Sequence, residues 1–494
     1  MGKRKRTDAH SNGVSSAEAA AQESAVAAKK AKVAEPPSLL EKDGSFTIQI
    51  VAGSYDRVLH GLTATIEADD QVDFADTFLF TAHSSAIRCL ALSPASAPEP
   101  GGKAQKVMLA SGSSDERVNV YNLSAHPPKR TENDEDEDSL SLSAVAPRKI
   151  AENAGNRELG TLLHHASTVT RLAFPTRSKL MSASDDSTIA VTRTRDWSLL
   201  SAIKAPIPAA QGRPSGDTAP LGGTPAGVND FAVHPSMKLM ISVSKGERCM
   251  RLWNLMTAKK AGVLNFSREM LQQVGEGKHS LGEGRKVVWG STDGADEFCV
   301  GFDRDLLVFG MDSTPRCRVM PEPRRKIHEF RYVEVDAKAE SSLLAVSTED
   351  GKIMFFSTRS EDLTTSESKE GDKNKPLPVA KLVAQLGGKE AGVLGRIKDF
   401  AISRVPADGG DNFFIAAGSS DGRVRVFKVS VKELSDARKP NTTKSVGKLL
   451  GTYETQNRIT CLEAFVMIPR PEGVEDSEYE FEDVSEDEED EDDE

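Results

Sequence analysis

The stretch LASGSSDERVNVYNL, residues 109–123, decides how this chain reads. An apolar run ends in small residues; then come an acid, Asp115, two turn residues, an alternating strand and an aromatic, Tyr121. Period-two alternation interrupted by Gly, Ser and Asp is the pattern of two strands joined by a tight turn. The unit returns five times: LMSASDDSTIAVT (180–192) around Asp186, LMISVSKGERCMRLWNL (239–255) around Glu247, FCVGFDRDLLVFG (298–310) around Asp303, LLAVSTEDGKIMFFS (343–357) around Asp350, and FIAAGSSDGRVRVFKV (414–429) around Asp421. Each copy follows a further strand-like run, such as AIRCLALSP (86–94), TVTRLAFP (168–175) or GVNDFAVHP (227–235). Each precedes a fourth, such as SLLSAIK (198–204) or KLLGTYE (448–454). Four strands per repeating unit make a propeller blade.

The two ends complete the ring. FTIQIVAGSYDRVLHGLTATI (46–66) and DTFLFTAH (76–83) supply three strands with no first strand before them, and NRITCLEAFVMI (457–468) is a lone first strand. Joined, they form a seventh blade closed by both ends of the chain, which removes the free edges of an open sheet. The expected fold is therefore an all-β, seven-bladed propeller over residues 45–470. A disordered basic arm is expected at 1–44 and an acidic disordered tail at 471–494. Five polar segments read as insertions, near 124–157, 205–226, 267–284, 358–377 and 429–446. Without their 112 residues the 426 of the ring interval fall to 314, close to the roughly 280–315 that seven blades need.

Charge is unevenly distributed. The net charge of -12 comes from 63 basic and 75 acidic residues, but residues 471–494 hold 16 carboxylates and no Lys or Arg, and 132–138 hold six more. The remainder carries 63 basic against 53 acidic side chains and is mildly basic. Such a ring is compatible with nucleic acid, although the whole-chain charge suggests the opposite. No stretch approaches the 18 or so apolar residues of a membrane span, and MGKRKRTDAH lacks the apolar core of a secretory signal. The expectation is a soluble protein with no membrane partner. Five scattered cysteines without a C-x-x-C pair fit reduced thiols in a cytosolic or nuclear compartment.

Chemistry-bearing patterns are few. GEGKHSLGEGRK (275–286) lacks the spacing of a phosphate loop and reads as an inter-blade loop, no G-x-S-x-G elbow supports a nucleophilic serine, and His and Cys show no metal-ligand spacing. No enzyme activity, metal or cofactor is expected. Lys3, Arg4, Lys5 and Arg6, with Lys29, Lys30 and Lys32, form basic clusters suited to nuclear import or loose nucleic-acid contact; a solubilising arm is the plain alternative. Ser477 and Ser485 each have an acid three residues on and are candidate sites for an acidophilic kinase. Loops leading into the first strands share one face of a propeller. Here they carry Lys278, Arg285, Lys286, Arg324, Arg325, Lys326, Lys389, Arg396, Lys398 and Arg458, a candidate basic binding face for RNA phosphates or an acidic protein.

These repeats resemble the WD-repeat family, with its hallmark dipeptide eroded to Tyr121-Asn122, Trp253-Asn254, Phe309-Gly310, Phe356-Ser357 and Phe427-Lys428. The resemblance implies a structural hydrogen-bond chain of His, Ser, Asp and aromatic residues, carried here by His83, Ser113, Asp115 and Tyr121. A second, partial chain would comprise His165, Ser184 and Asp186, with Thr192 at the aromatic position. Further strings, VAGSYDRVLHGL (51–62), LLHHASTVTRLAF (162–174), VHPSMKLMISVSKGERCMRLWNL (233–255), SSDGRVRVFKV (419–429) and NRITCLEAF (457–465), are similar to the family containing the p21-activated-kinase-interacting protein and the yeast maintenance-of-killer assembly factor. That resemblance implies a nucleolar, non-catalytic scaffold for the large (60S) ribosomal subunit, monomeric within a pre-60S particle of rRNA, assembly factors and ribosomal proteins. The alternative it implies is an adaptor that binds and restrains a p21-activated kinase. A chromatin or ubiquitin-ligase reader is a further alternative, disfavoured by the low aromatic content.

Overall fold

In a strand of period two, every second side chain faces the same way, so a sheet with apolar residues on both faces must be covered on both. The computed structural model meets this demand by packing seven sheets face to face around an axis. It describes residues 39–470 apart from 42, 99–103, 129–148, 209–225, 277–279, 337–340, 366–375, 408–409 and 438–443. Seven sheets, antiparallel but for one short parallel strip added to the fifth blade, follow one another along the chain. The inner strands of blades 1 to 7 are Ile87–Leu92, Val169–Thr176, Val228–Val233, Lys286–Thr292, Ile327–Asp336, Ile397–Val405 and Ile459–Val466. The outer strands, in the same order, are Arg157–Leu162, Leu199–Lys204, Lys259–Asn265, Pro315–Val319, Lys381–Gly387, Lys448–Glu454 and Val72–Thr81. Blade 7 takes its inner strand from the C-terminal end and the other three from Phe46–Ser54, Val58–Ile66 and Val72–Thr81. Its seam pairs Ile50 with Ala464 and Gly53 with Cys461.

Apolar side chains gather between blades rather than at one centre. Ile50, Leu62, Val424 and Leu462 share a cluster between blades 6 and 7, and Val51, Leu59, Ile87 and Leu109 share the next, between 7 and 1. The small residues that end each second strand are required by this packing. A Cβ at Gly112 would lie 2.7 Å from the Val169 side chain, and one at Gly418 would lie 2.9 Å from Ile459, in each case on the inner strand of the following blade.

The insertions do more than the sequence suggests. The segment 267–284 opens with helix α1, Arg268–Gln273, where Ser267 caps the first turn by accepting from the Met270 N–H at 3.2 Å. Leu271 and Val274 then join the core between blades 3 and 4. The segment 429–446 holds helix α2, Val431–Ala437, with Leu434, Ala437 and Val446 buried between blades 5 and 6. These two stretches are partly structured pieces of core, not merely polar loops. Three connections between third and fourth strands also reach back to the preceding blade. Ile150 bridges the outer strand of blade 7 at Asp76, Val379 that of blade 4 at Arg318, and Lys444–Ser445 pairs with Ala384 and Gln385 of blade 5, all in parallel. Each strip covers an edge that would otherwise present unpaired N–H and C=O groups. Among the described residues no helix is long and apolar enough to cross a membrane.

Candidate interaction surface

The expected hydrogen-bond chain needs one correction in each of its two blades. His83 Nε2 lies 2.8 Å from Ser111 Oγ, not from Ser113, and its Nδ1 is 3.1 Å from Asp115. His165 likewise meets Ser182 at 2.7 Å, not Ser184, and Asp186 at 3.2 Å. Residues two apart on a strand share a face, so spacing alone does not rank the two serines. Ser113 and Ser184 instead tie the hairpin to the loop before the inner strand, donating to the Ala86 and Ser167 carbonyls at 2.9 and 3.0 Å. Burial pushes the Asp115 carboxyl up, but the Ser84 N–H and His83 outweigh it and hold it below its ordinary value; Asp186 is depressed by similar donors. The His, Ser and Asp sit at triad-like distances, yet the His83 and His165 rings are wholly enclosed, so no substrate reaches them.

Where the histidine is missing, two blades substitute an arginine four residues after the turn acid. Arg251 pairs with Glu247, and Arg425 bonds Asp421 at 2.9 Å and Ser419 Oγ at 2.7 Å. In blade 3 the aromatic supplies the remaining bond, with Trp253 Nε1 donating to Ser242 Oγ at 2.8 Å. The signal was present as E-R-C-M-R and D-G-R-V-R, where a turn acid is followed four residues on by an arginine in the third strand.

The expected basic face does not stand free of counter-charge. Hairpins between second and third strands open on the same face and bring the turn acids with them. Arg285 and Lys326 share Asp303 at 3.3 and 3.6 Å, Arg396 meets Glu349 at 3.0 Å, and Arg324 binds the buried Asp305 at 3.1 Å. Lys286 turns away from the rim into the axial channel and pairs with Glu329. Arg325 and Lys389 are exposed, and Arg458 lies over the Tyr55 ring at 5.7 Å. Lys278 lies outside the described residues, as do Lys3, Arg4, Lys5, Arg6, Lys29, Lys30, Lys32, Ser477 and Ser485.

Below the rim, inner strands that each looked apolar in sequence enclose a buried ionic girdle. Arg171 meets Asp230 at 3.3 Å, and Arg331 bridges Asp399 at 3.3 Å and Glu463 at 2.9 Å. Asp230 and Asp399 also accept from the Val287 and Leu462 N–H groups at 3.0 and 2.9 Å, clamping each inner strand to the following one. Burial and the neighbouring Glu329 charge push Asp399 up to about 6 against the pull of Arg331, while Glu329, whose burial is outweighed by Lys286, Arg171 and Arg331, falls to about 2. The free space in this channel is about 60 Å³, enough for a side chain but not for a folded element. Cys89 and Cys461 also line it, and burial raises both thiols, which suits inert reduced cysteines. Among the described residues no group of three or more His, Cys, Asp or Glu is placed to hold a metal.

Seven four-stranded blades, a closing blade shared by both chain ends and the recurrent His–Ser–Asp bonding define a WD-repeat β-propeller, a fold that typically serves as a non-catalytic scaffold. The sequence pattern of the WD domain, G-beta repeat, matches residues 76–122 and 156–191. The chain is similar to Protein MAK11 of Saccharomyces cerevisiae, 26% identical over 411 residues and 78% of each chain. It is also similar to p21-activated protein kinase-interacting protein 1-like of Danio rerio, 23% identical over 84% of this chain and 80% of the relative. The protein of the same name from Xenopus laevis is 22% identical over 87% and 84%.

Proposed function

We propose that this chain is a non-catalytic scaffold in assembly of the large (60S) ribosomal subunit, binding pre-ribosomal particles in the nucleolus. The observation that carries the reading is the likeness to Protein MAK11, which covers 78% of this chain and so extends well beyond any one blade. The family resemblance of strings such as VAGSYDRVLHGL and NRITCLEAF implies the same role. The charge layout is compatible with it: a mildly basic ring, a basic N-terminal segment at Lys3–Arg6 suited to nuclear import, and an acidic C-terminal segment able to shield basic partners. A second reading is an adaptor that binds a p21-activated kinase, and the name carried by the Danio rerio and Xenopus laevis relatives favours it. A propeller fold alone would not choose between them.

Affinity purification of the tagged full chain from growing cells, followed by RNA sequencing and protein identification, separates the two. Large-subunit rRNA precursors and assembly factors are expected to co-purify, and their absence overturns the ribosomal reading. A kinase recovered after RNase treatment without ribosomal proteins supports the adaptor. Charge reversal at Arg325 and Lys389 is expected to weaken particle association. Arg324 is unsuited to that test because it neutralises the buried Asp305.

A further inference from the structure

Charge compensation on the propeller axis stops abruptly at one level. Within the channel each basic group of the girdle has a carboxylate: Arg171 with Asp230, Lys286 with Glu329, Arg331 with Asp399 and Glu463. At the mouth on blades 5, 6 and 7 the balance fails. Lys398 sits within repelling reach of Arg396, Arg458 and Lys326, and His328 within reach of Lys398, Lys326 and Arg396. Lys326 and Arg396 have Asp303 and Glu349, but among the described residues no carboxylate lies within ion-pair distance of Lys398 or Arg458. Burial, then the charges of Arg396, Arg458 and Lys326, hold the Lys398 ammonium below its ordinary range. His328 stands among them with its Nε2 buried and without a hydrogen-bond partner. Burial and the surrounding cations push its imidazole down to about 3, so it is neutral. A cluster of like charges beside an unsatisfied polar atom is costly unless an anion completes it.

We propose that the mouth framed by Lys326, His328, Arg396, Lys398 and Arg458 binds a carboxylate side chain on an extended acidic segment of a protein partner. This rests on the reading of the rim as a docking face and narrows it to one partner chemistry. Three observations favour an acidic peptide over RNA. Lys398 and His328 are half-buried, and the channel beneath them is narrow, so a carboxylate on a short stem reaches them more readily than a phosphate in a continuous backbone. The hairpin acids Asp56, Asp303 and Glu349 stand around the same rim and break any long track for a polyanion. Tyr55, 58% exposed under Arg458, and Leu394, 76% exposed on the loop that leads into Arg396, offer apolar contact that a peptide side chain can use.

The full chain is titrated with a fluorescein-labelled decapeptide of alternating Glu-Glu and Leu units, its Gln counterpart and an oligouridylate of equal charge, followed by fluorescence anisotropy. The Glu peptide is expected to bind at least tenfold more tightly than the other two. Lys398→Gln with Arg458→Gln is expected to weaken it at least tenfold, whereas Lys259→Gln with Lys260→Gln, on the outer edge of blade 3, leaves it unchanged. Because the cluster repels itself, Lys398→Gln alone is expected to keep or raise the melting temperature, which separates lost binding from lost folding. Equal binding of the oligouridylate, no binding of the Glu peptide, or indifference to Lys398→Gln with Arg458→Gln overturns the proposal. If those substitutions abolish peptide binding while pre-ribosomal association persists, the carboxylate site stands and the rim falls as the particle contact.

Discussion

The smallest unit of this molecule is a polar contact inside an apolar blade, and it sets the local cost of error. Ser182 and His165 Nε2 are both shielded from water, so Ser182→Ala leaves the imidazole nitrogen unsatisfied. Destabilisation of about 1–3 kcal/mol is expected in urea unfolding. Asp399 makes a prediction of opposite sign to the usual carboxylate. Its folded value, about 6, lies above the unfolded one, so the folded state binds its proton first. The resulting stability is fully present below about pH 4 and is lost as pH rises through about 6. Asp399→Asn lacks that titration. The stability difference, wild type minus variant, is therefore expected to grow as pH falls from 7 to 4.5, as read from melting temperatures; a flat difference would refute the assignment. Neither the Ser182 partnership nor the Asp399 environment could be read from sequence, because both depend on which of several same-face residues stand level across strands.

At the scale of elements, alternation made the strands legible and insertions were where legibility ended. Runs such as KLLGTYE and SLLSAIK carry their period of two regardless of context and correspond to Lys448–Glu454 and Leu199–Lys204. The helix α2, VKELSDA, is only seven residues long and draws its stability from Leu434 and Ala437 packing between blades, a tertiary effect that local propensity does not report. The strip Lys444–Ser445 was equally hidden, since a two-residue parallel pairing has no periodicity to detect. Both belong to one insertion, and Val446 anchors its end by donating to the Gln385 carbonyl at 2.9 Å. Leu434→Ala is expected to cost about 2–5 kcal/mol in chemical denaturation, as for other enclosed leucines. Loss near zero would show that the insertion packs independently of the ring.

For the whole molecule, sevenfold closure was legible because repeat counting is insensitive to individual erosion: Thr192 in place of an aromatic and Glu247 in place of Asp still leave four strands per blade. The basic rim was not legible in the same way, because loops and hairpins distant in sequence deliver opposite charges to one face, as Arg285 and Asp303 do. Closure itself carries the last prediction. The strand Ile459–Val466 is the inner strand of blade 7, and its Ile459, Cys461 and Leu462 side chains pack against blades on both sides. Beyond it, Ile468 donates to the Ala125 carbonyl and accepts from His126 Nδ1 at 2.9 Å, latching the seam to blade 1. Gln105 N–H donates to His126 Nε2, so Nδ1 must carry the proton, and the latch holds with a neutral imidazole. A chain ending at Asn457 keeps six complete blades but exposes the inner edge of Phe46–Ser54 and two apolar interfaces. It is expected to lose its cooperative thermal transition and to elute as aggregate in size-exclusion chromatography, and a synthetic peptide spanning 457–470 is expected to restore both. A truncated chain that melts cooperatively without the peptide would mean that the ring is held by its blade interfaces alone and that the shared seventh blade is dispensable for folding.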